Sequence, residues 1–155
     1  MRLDVIELMS QGLGELSDRN KESGLDFRVS LIREKLHILA DGKLLCRVVK
    51  NLLSNVFKYV LDHSRVYVSS YRVRDLVRIE VKNISAYEIT VPAEELTERL
   101  TRGDQSRGCE DSGLGLAIAK SLTELQGGEF RIEIDGDFFK AIVEFKEDIS
   151  SISNA

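Results

Sequence analysis

Asn51, Asn55, Lys58 and Asp62 fall at i, i+4, i+7 and i+11, so on one helix they form a single line. Asn is a mediocre helix former because its side chain competes for backbone hydrogen bonds, and two of them one turn apart in mid-helix cost stability. Amide oxygens are hard ligands that suit Mg²⁺, an ion that keeps several waters and takes one or two protein oxygens together with phosphates. Lys58 has the charge to meet a phosphate, and Tyr59 beside it offers an aromatic rim. The same residues also suit a plain polar helix face, and spacing alone leaves both readings open.

A second stretch, Ser112-Gly113-Leu114-Gly115-Leu116, sits where a polar segment becomes a helix. Free N–H groups and the positive end of the helix dipole point there at whatever occupies the loop, which is a phosphate site in outline. Glycines let the backbone approach a ligand with no Cβ in the way. A glycine-flanked helix start is common, so this short pattern is weak by itself. The chain has no GxxxxGK[ST] and no complete GxGxxG, and two familiar nucleotide folds are thereby excluded.

The elements that must position these residues follow from periodicity. Leu3 to Leu16 reads as an amphipathic helix that stops near Ser23-Gly24. Leu25 to Ile32 and Leu36 to Leu39 read as strands, and Asp41 as the cap of a long second helix whose apolar positions run from Leu45 to Val60. Arg65 to Val73 and Leu76 to Lys82 form a hairpin through Arg74-Asp75, Pro92 opens a short helix to Leu100, and Thr101 to Ser112 is a polar, mobile loop. A third helix runs from Gly113 to Gly127-Gly128, and Phe130 to Ile134 and Phe138 to Phe145 close the chain as a hairpin through Asp135-Gly136-Asp137. Ile149 to Ala155 is a loose tail after a domain of residues 1–148. This order predicts an α+β fold: a two-layer sandwich with one mixed, largely antiparallel sheet and about three helices on one face.

Composition narrows the partners. The 155 residues are 43% hydrophobic and 31% charged, which excludes a disordered tail or a disulfide scaffold. Twenty-two Lys plus Arg against 26 Asp plus Glu give a net charge of −4 with no single-sign arm, so nucleic acid is not an expected partner. No stretch approaches the apolar length of a membrane span, and Asp4 and Glu7 interrupt any signal-peptide run, which places the domain in the cytoplasm without direct membrane contact. Cys46 and Cys109 show no metal or redox spacing and read as free thiols in a reducing compartment.

The motifs together resemble a family. Asn51-Leu-Leu-Ser-Asn55-Val-Phe-Lys58-Tyr59 is similar to an N box, Glu95-Leu-Thr-Glu-Arg-Leu100 with Arg102-Gly-Asp104 to an F-box region, and Ser112-Gly-Leu-Gly-Leu-Ala-Ile-Ala-Lys120 to the second glycine box. They mark the catalytic ATP-binding domain of bacterial two-component sensor histidine kinases, a branch of the ATPase superfamily that includes gyrase, the MutL proteins and a heat-shock chaperone, with the Bergerat-type fold. The resemblance implies that Asn55 coordinates Mg²⁺ on the ATP phosphates with Asn51 supporting it, that Lys58 meets a phosphate, and that Tyr59 lies on the nucleoside side. It implies that Ser112, Gly113, Leu114, Gly115 and Leu116 present backbone to the phosphates, and that Thr101 to Ser112, with Arg102, forms a lid.

The departures from the family pattern are specific. Asn83 stands where an Asp normally accepts the adenine amino proton, and neither glycine of that box is present in Asn83-Ile-Ser-Ala-Tyr87. An Asn carbonyl still accepts that bond, as a neutral and weaker acceptor. Asp111 replaces the first glycine of the second box; at ~6 Å and an effective dielectric of ~20–80 each charge pair with a phosphate costs roughly 0.7–3 kcal/mol, which Arg102 and Arg107 can offset. The F-box phenylalanines are replaced by Thr97 and Leu100. His37 and His63 lie outside any helical His-Glu or His-Asp context, so the phosphoacceptor is not in this chain. The resemblance therefore implies transfer of the γ-phosphoryl group of ATP to a histidine on a separate dimerisation domain of a membrane-anchored parent, and onward to a response regulator. Two rival readings share the fold: a degenerate, non-catalytic docking module, and a serine kinase acting on a regulatory protein of transcription.

Overall fold

The structure is a computed structural model and describes residues 1–15, 24–86, 89 and 114–149. The chain opens as strand β1 (Arg2–Asp4), and Asp4 ends it by capping helix α1 (Val5–Glu15), its carboxylate accepting from the N–H of Ile6 at 3.0 Å. The helical periodicity read from Leu3 onward thus begins two residues later. Strands β2 (Asp26–Leu31) and β3 (His37–Leu39) follow, then helix α2 (Gly42–Tyr59), the hairpin of β4 (Arg65–Val73) and β5 (Leu76–Ile84), helix α3 (Leu114–Leu125), and the hairpin of β6 (Glu129–Asp135) and β7 (Phe138–Lys146). The expected short helix after Pro92, the polar loop to Ser112 and residues 150–155 of the tail lie outside the described residues.

The main sheet has the order β2-β4-β5-β7-β6, with β2 parallel to β4 and every other pairing antiparallel. Strand β3 does not join it, contrary to the single sheet expected from the sequence. Ile32 donates to the Ser70 carbonyl at 3.3 Å and ends the β2 pairing; the chain then turns through exposed charges to bury Leu36, whose carbonyl accepts from Val5 at 2.7 Å. That turn delivers β3 to β1, with Leu3 opposite Ile38 in a small antiparallel ribbon.

Alternation along the strands puts one row of each on the helix side: Val66, Val68 and Ser70 of β4, Val77, Ile79, Val81 and Asn83 of β5, Ala141, Val143 and Phe145 of β7. Against them lie Leu45, Val48, Leu52 and Val56 of α2 and Leu116 and Ala119 of α3. Helix α1 sits on α2, where a Cβ on Gly12 would meet Val49 Cγ1 at 3.4 Å. The opposite sheet face carries a charged lattice in which Arg78 and Arg131 bind Glu144 at 2.6 and 2.9 Å and Tyr71 donates to Glu80. Among the described residues no helix is long and apolar enough to cross a membrane, and no cluster of His, Cys, Asp and Glu is arranged to hold a metal.

Candidate functional site

Helix α2 carries the amide row. Asp41 starts it with an extended backbone (φ −91°, ψ 121°) and a carboxylate accepting from Lys43 and Leu44 at 2.9 and 3.1 Å. The other end is fixed by the sheet. Val60 takes an extended ψ of 147° and bridges Ser85, Leu61 donates to the Ile84 carbonyl at 2.8 Å, and Ala86 donates to the Tyr59 carbonyl at 2.8 Å. These backbone bonds tie the last turn of α2 to the end of β5. They also correct one expectation: the helix stops at Tyr59, so Asp62 leaves the line of Asn51, Asn55 and Lys58. No side-chain pattern encodes such a stitch.

The stitch brings the amides of two elements to one end of the helix–sheet layer. Asn55 lies on the buried side of α2 at 9% exposure, and Asn83, the last buried residue of the helix-facing row of β5, is 2% exposed. Two amide atoms here, Asn51 Nδ2 and Asn83 Oδ1, are buried and have no hydrogen-bond partner among the described residues, a state shared by Ser70 Oγ on β4. A buried amide group without a partner costs about 1–3 kcal/mol, and such groups in a native fold call for an explanation such as a ligand. The pair is complementary in kind, one being a donor and the other an acceptor.

Helix α3 closes the third side. A Cβ built on Gly115 would lie 3.7 Å from Asn51 Cβ, 3.8 Å from its Cγ and 3.9 Å from its carbonyl oxygen, so the glycine brings the first turn of α3 against the first amide of the row. Leu114 begins the helix, and Leu116 is 4% exposed and packs inward as core. Lys58 occupies the last turn of α2 and is half-buried, as is Tyr59. Thus Asn51, Asn55, Asn83 and Gly115 are gathered at one end of the fold, with Lys58 and Tyr59 at the terminus of α2. Arg102, Ser112, Gly113 and Asp111 lie outside the described residues.

The histidines and the described cysteine stand apart from this site. His37 is on β3, where its carbonyl accepts from Asp148 at 2.7 Å, and His63 holds a positive φ of 61° in the turn after α2. Cys46 is a free, half-buried thiol on α2.

The site is thus a helix–sheet seam with two amide atoms left without partners among the described residues and a glycine in the first turn of the neighbouring helix. Residues 40–148 match the family of histidine kinase-, DNA gyrase B- and HSP90-like ATPases, and the chain belongs to it. It is 33% identical over 124 residues to the sensor histidine kinase HprS of Escherichia coli, covering 79% of this chain and 26% of that protein. It is 31% identical over 134 residues to the histidine-protein kinase/phosphatase MprB of Mycolicibacterium smegmatis, covering 84% of this chain and 26% of that protein. The chain spans about a quarter of the length of the curated relatives it matches. Its fold is that of the catalytic domain of histidine kinase ThkA, at a TM-score of 0.78 and 22% identity over 95% of this chain and 97% of that one. The same kinase solved in complex with a response regulator matches at a TM-score of 0.76 and 22% identity, covering 96% of this chain and 42% of that one.

Proposed function

We propose that this chain is the ATP- and Mg²⁺-binding catalytic domain of a sensor histidine kinase, residues 1–148 forming the domain, and that it donates the γ-phosphoryl group to a histidine on a separate dimerisation domain of its parent. The observation that carries this reading is the pair of buried amide atoms, Asn51 Nδ2 and Asn83 Oδ1, that have no partner among the described residues at the helix–sheet seam. A donor without an acceptor suits a phosphate-side oxygen, and an acceptor without a donor suits the amino edge of a base. A docking module with a lapsed pocket would have no use for them, because each costs stability that an apolar side chain would restore.

The residues present fit the expected metal as well. Asn55, one turn from Asn51, offers a hard amide oxygen, the ligand type Mg²⁺ takes alongside phosphates and water. When bound there, Mg²⁺ would neutralise charge on the phosphates. The chain's own share is positioning: Asn51 and Asn55 fix the phosphate side, Asn83 the base, Lys58 adds a positive charge, and Gly115 keeps the first turn of α3 clear of a side chain. Phosphoryl transfer depends on such placement and charge neutralisation more than on covalent help from the protein. In this reading the parent is a membrane-anchored receptor with this domain in the cytoplasm, and a response regulator receives the phosphoryl group; the ThkA structure in complex with a response regulator supports the second part.

Calorimetric titration with a non-hydrolysable ATP analogue, with Mg²⁺ and with chelator, tests the first half. Saturable, Mg²⁺-dependent binding is expected; no heat up to millimolar nucleotide would discard the reading. Added dimerisation domain should become phosphorylated on histidine, and Asn55→Ala should abolish that transfer.

A further inference from the structure

We infer that Asn83 makes the base site of this domain indifferent to whether a purine carries an amino or an oxo group at position 6, so that guanine nucleotides bind alongside adenine nucleotides. The inference rests on the nucleotide reading above and deepens it.

Three observations lead there. Asn83 is 2% exposed and its Oδ1 has no partner among the described residues, so the fold leaves that acceptor open. No side-chain hydrogen bond of Asn83 among the described residues fixes which way the amide faces, so Oδ1 and Nδ2 can exchange places by a half-turn about the last side-chain bond. Its two sheet neighbours add no polar group: the preceding residue of its row is Val81 and its partner across the ladder is Phe139, both buried and apolar.

A carboxylate at this place is an acceptor only. It takes a hydrogen bond from an exocyclic amine and repels a carbonyl oxygen. A carboxamide carries both functions on one planar group. With Oδ1 forward it accepts from the 6-amino group of adenine, and with Nδ2 forward it donates to the 6-oxo group of guanine. Neutrality removes the repulsion that would otherwise set the two bases apart. Strong rejection of an isostere requires a buried polar group that the wrong ligand leaves unpaired, and Asn83 is left unpaired by neither purine.

Calorimetry on the full chain with Mg²⁺ and non-hydrolysable analogues of ATP and GTP reads this directly. Dissociation constants within about ten-fold of each other support the inference, as does a shift of at least ten-fold toward ATP in Asn83→Asp. Tight binding of the ATP analogue with the GTP analogue more than 100-fold weaker overturns it and leaves the nucleotide reading standing. An unchanged ratio in a folded Asn83→Asp variant also overturns it, because selectivity would then be set elsewhere. Failure of both analogues to bind overturns the nucleotide reading and this inference with it. Should the variant not fold, the wild-type ratio alone decides.

Discussion

Gly115 of α3 faces Asn51 of α2 so closely that a methyl group on the glycine would stand 3.7 Å from the Asn51 Cβ. That is ordinary van der Waals contact, so the fold has room for alanine. Alanine is also the better helix former by about 0.5–1 kcal/mol. Gly115→Ala is therefore expected to leave the melting temperature unchanged or raise it by a few degrees. The methyl would occupy the space in front of Asn51, and nucleotide affinity should fall at least ten-fold. Thermal melts of the apo domain, set beside titrations with the ATP analogue, separate the two effects; a matched loss of stability and affinity would show that the glycine serves packing alone.

Asn51 supports a similar dissociation of stability from function. Its Nδ2 is buried without a partner among the described residues, so replacing it removes a desolvation cost along with the proposed ligand contact. Asn51→Leu should stabilise the apo domain by about 1 kcal/mol, or roughly 2–4 °C for a chain of this size. The same variant should lose the rise in melting temperature that saturating nucleotide produces in the wild type. Differential scanning fluorimetry with and without Mg²⁺ and ATP analogue measures both.

Gly128 marks the opposite case, a glycine that the fold cannot replace. Helix α3 ends with Gly127 at a φ of 87°, and the N–H of Gly128 reaches back to the Thr123 carbonyl at 3.0 Å. A Cβ on Gly128 would lie 2.8 Å from two ring carbons of Phe145 and 2.9 Å from the Glu144 carbonyl oxygen. The β7 backbone cannot retreat without breaking its ladders, so Gly128→Ala is expected to cost about 1–3 kcal/mol. Urea unfolding should show the midpoint falling with the slope preserved.

How far the sequence foretells this fold depends on which groups do the binding. Helix α2 is legible because Asp41 and the spacing from Leu45 to Val56 are side-chain signals, and both hairpins are legible because Arg74-Asp75 and Gly136-Asp137 separate strictly alternating runs. The stop at Tyr59 and the departure of β3 from the main sheet are set by backbone bonds, Leu61 to Ile84 in one case and Val5 to Leu36 in the other. Neither leaves a residue-type signature. The amides are legible as residue types, while their lack of partners is a property of three-dimensional packing that spacing does not carry. The lattice on the outer sheet face is also hidden, because Glu80 and Glu144 look like solvent-facing positions of alternating strands and are each 5% exposed.

That lattice gives the domain its expected response to acid. Burial pushes the Glu144 carboxyl up, but hydrogen bonds from Arg131 and Arg78 outweigh it and hold the group below the ordinary glutamate value. Glu147 is held low by Arg72, whose guanidinium bonds both of its oxygens at 2.7 and 2.9 Å, against a smaller opposing effect of burial. A carboxyl depressed in the fold binds its proton more readily in the unfolded chain. Its contribution is therefore complete above the unfolded glutamate pKa of about 4.3 and is lost as pH falls through that value to the lower folded one. Melting temperature should be flat from about pH 7 to 5 and drop steeply below. Glu144→Gln keeps the volume but sets an amide nitrogen against an arginine, and should cost about 1–3 kcal/mol at neutral pH. The arginines' partial exposure, 21% and 41% at the side chain, lets water take up part of the loss and keeps it below that of a fully buried pair. The variant should also show a shallower fall between about pH 5 and 3, with the remaining slope belonging in part to Glu147. A wild-type slope in that range retained in full by Glu144→Gln would move the acid response away from the outer face of the sheet.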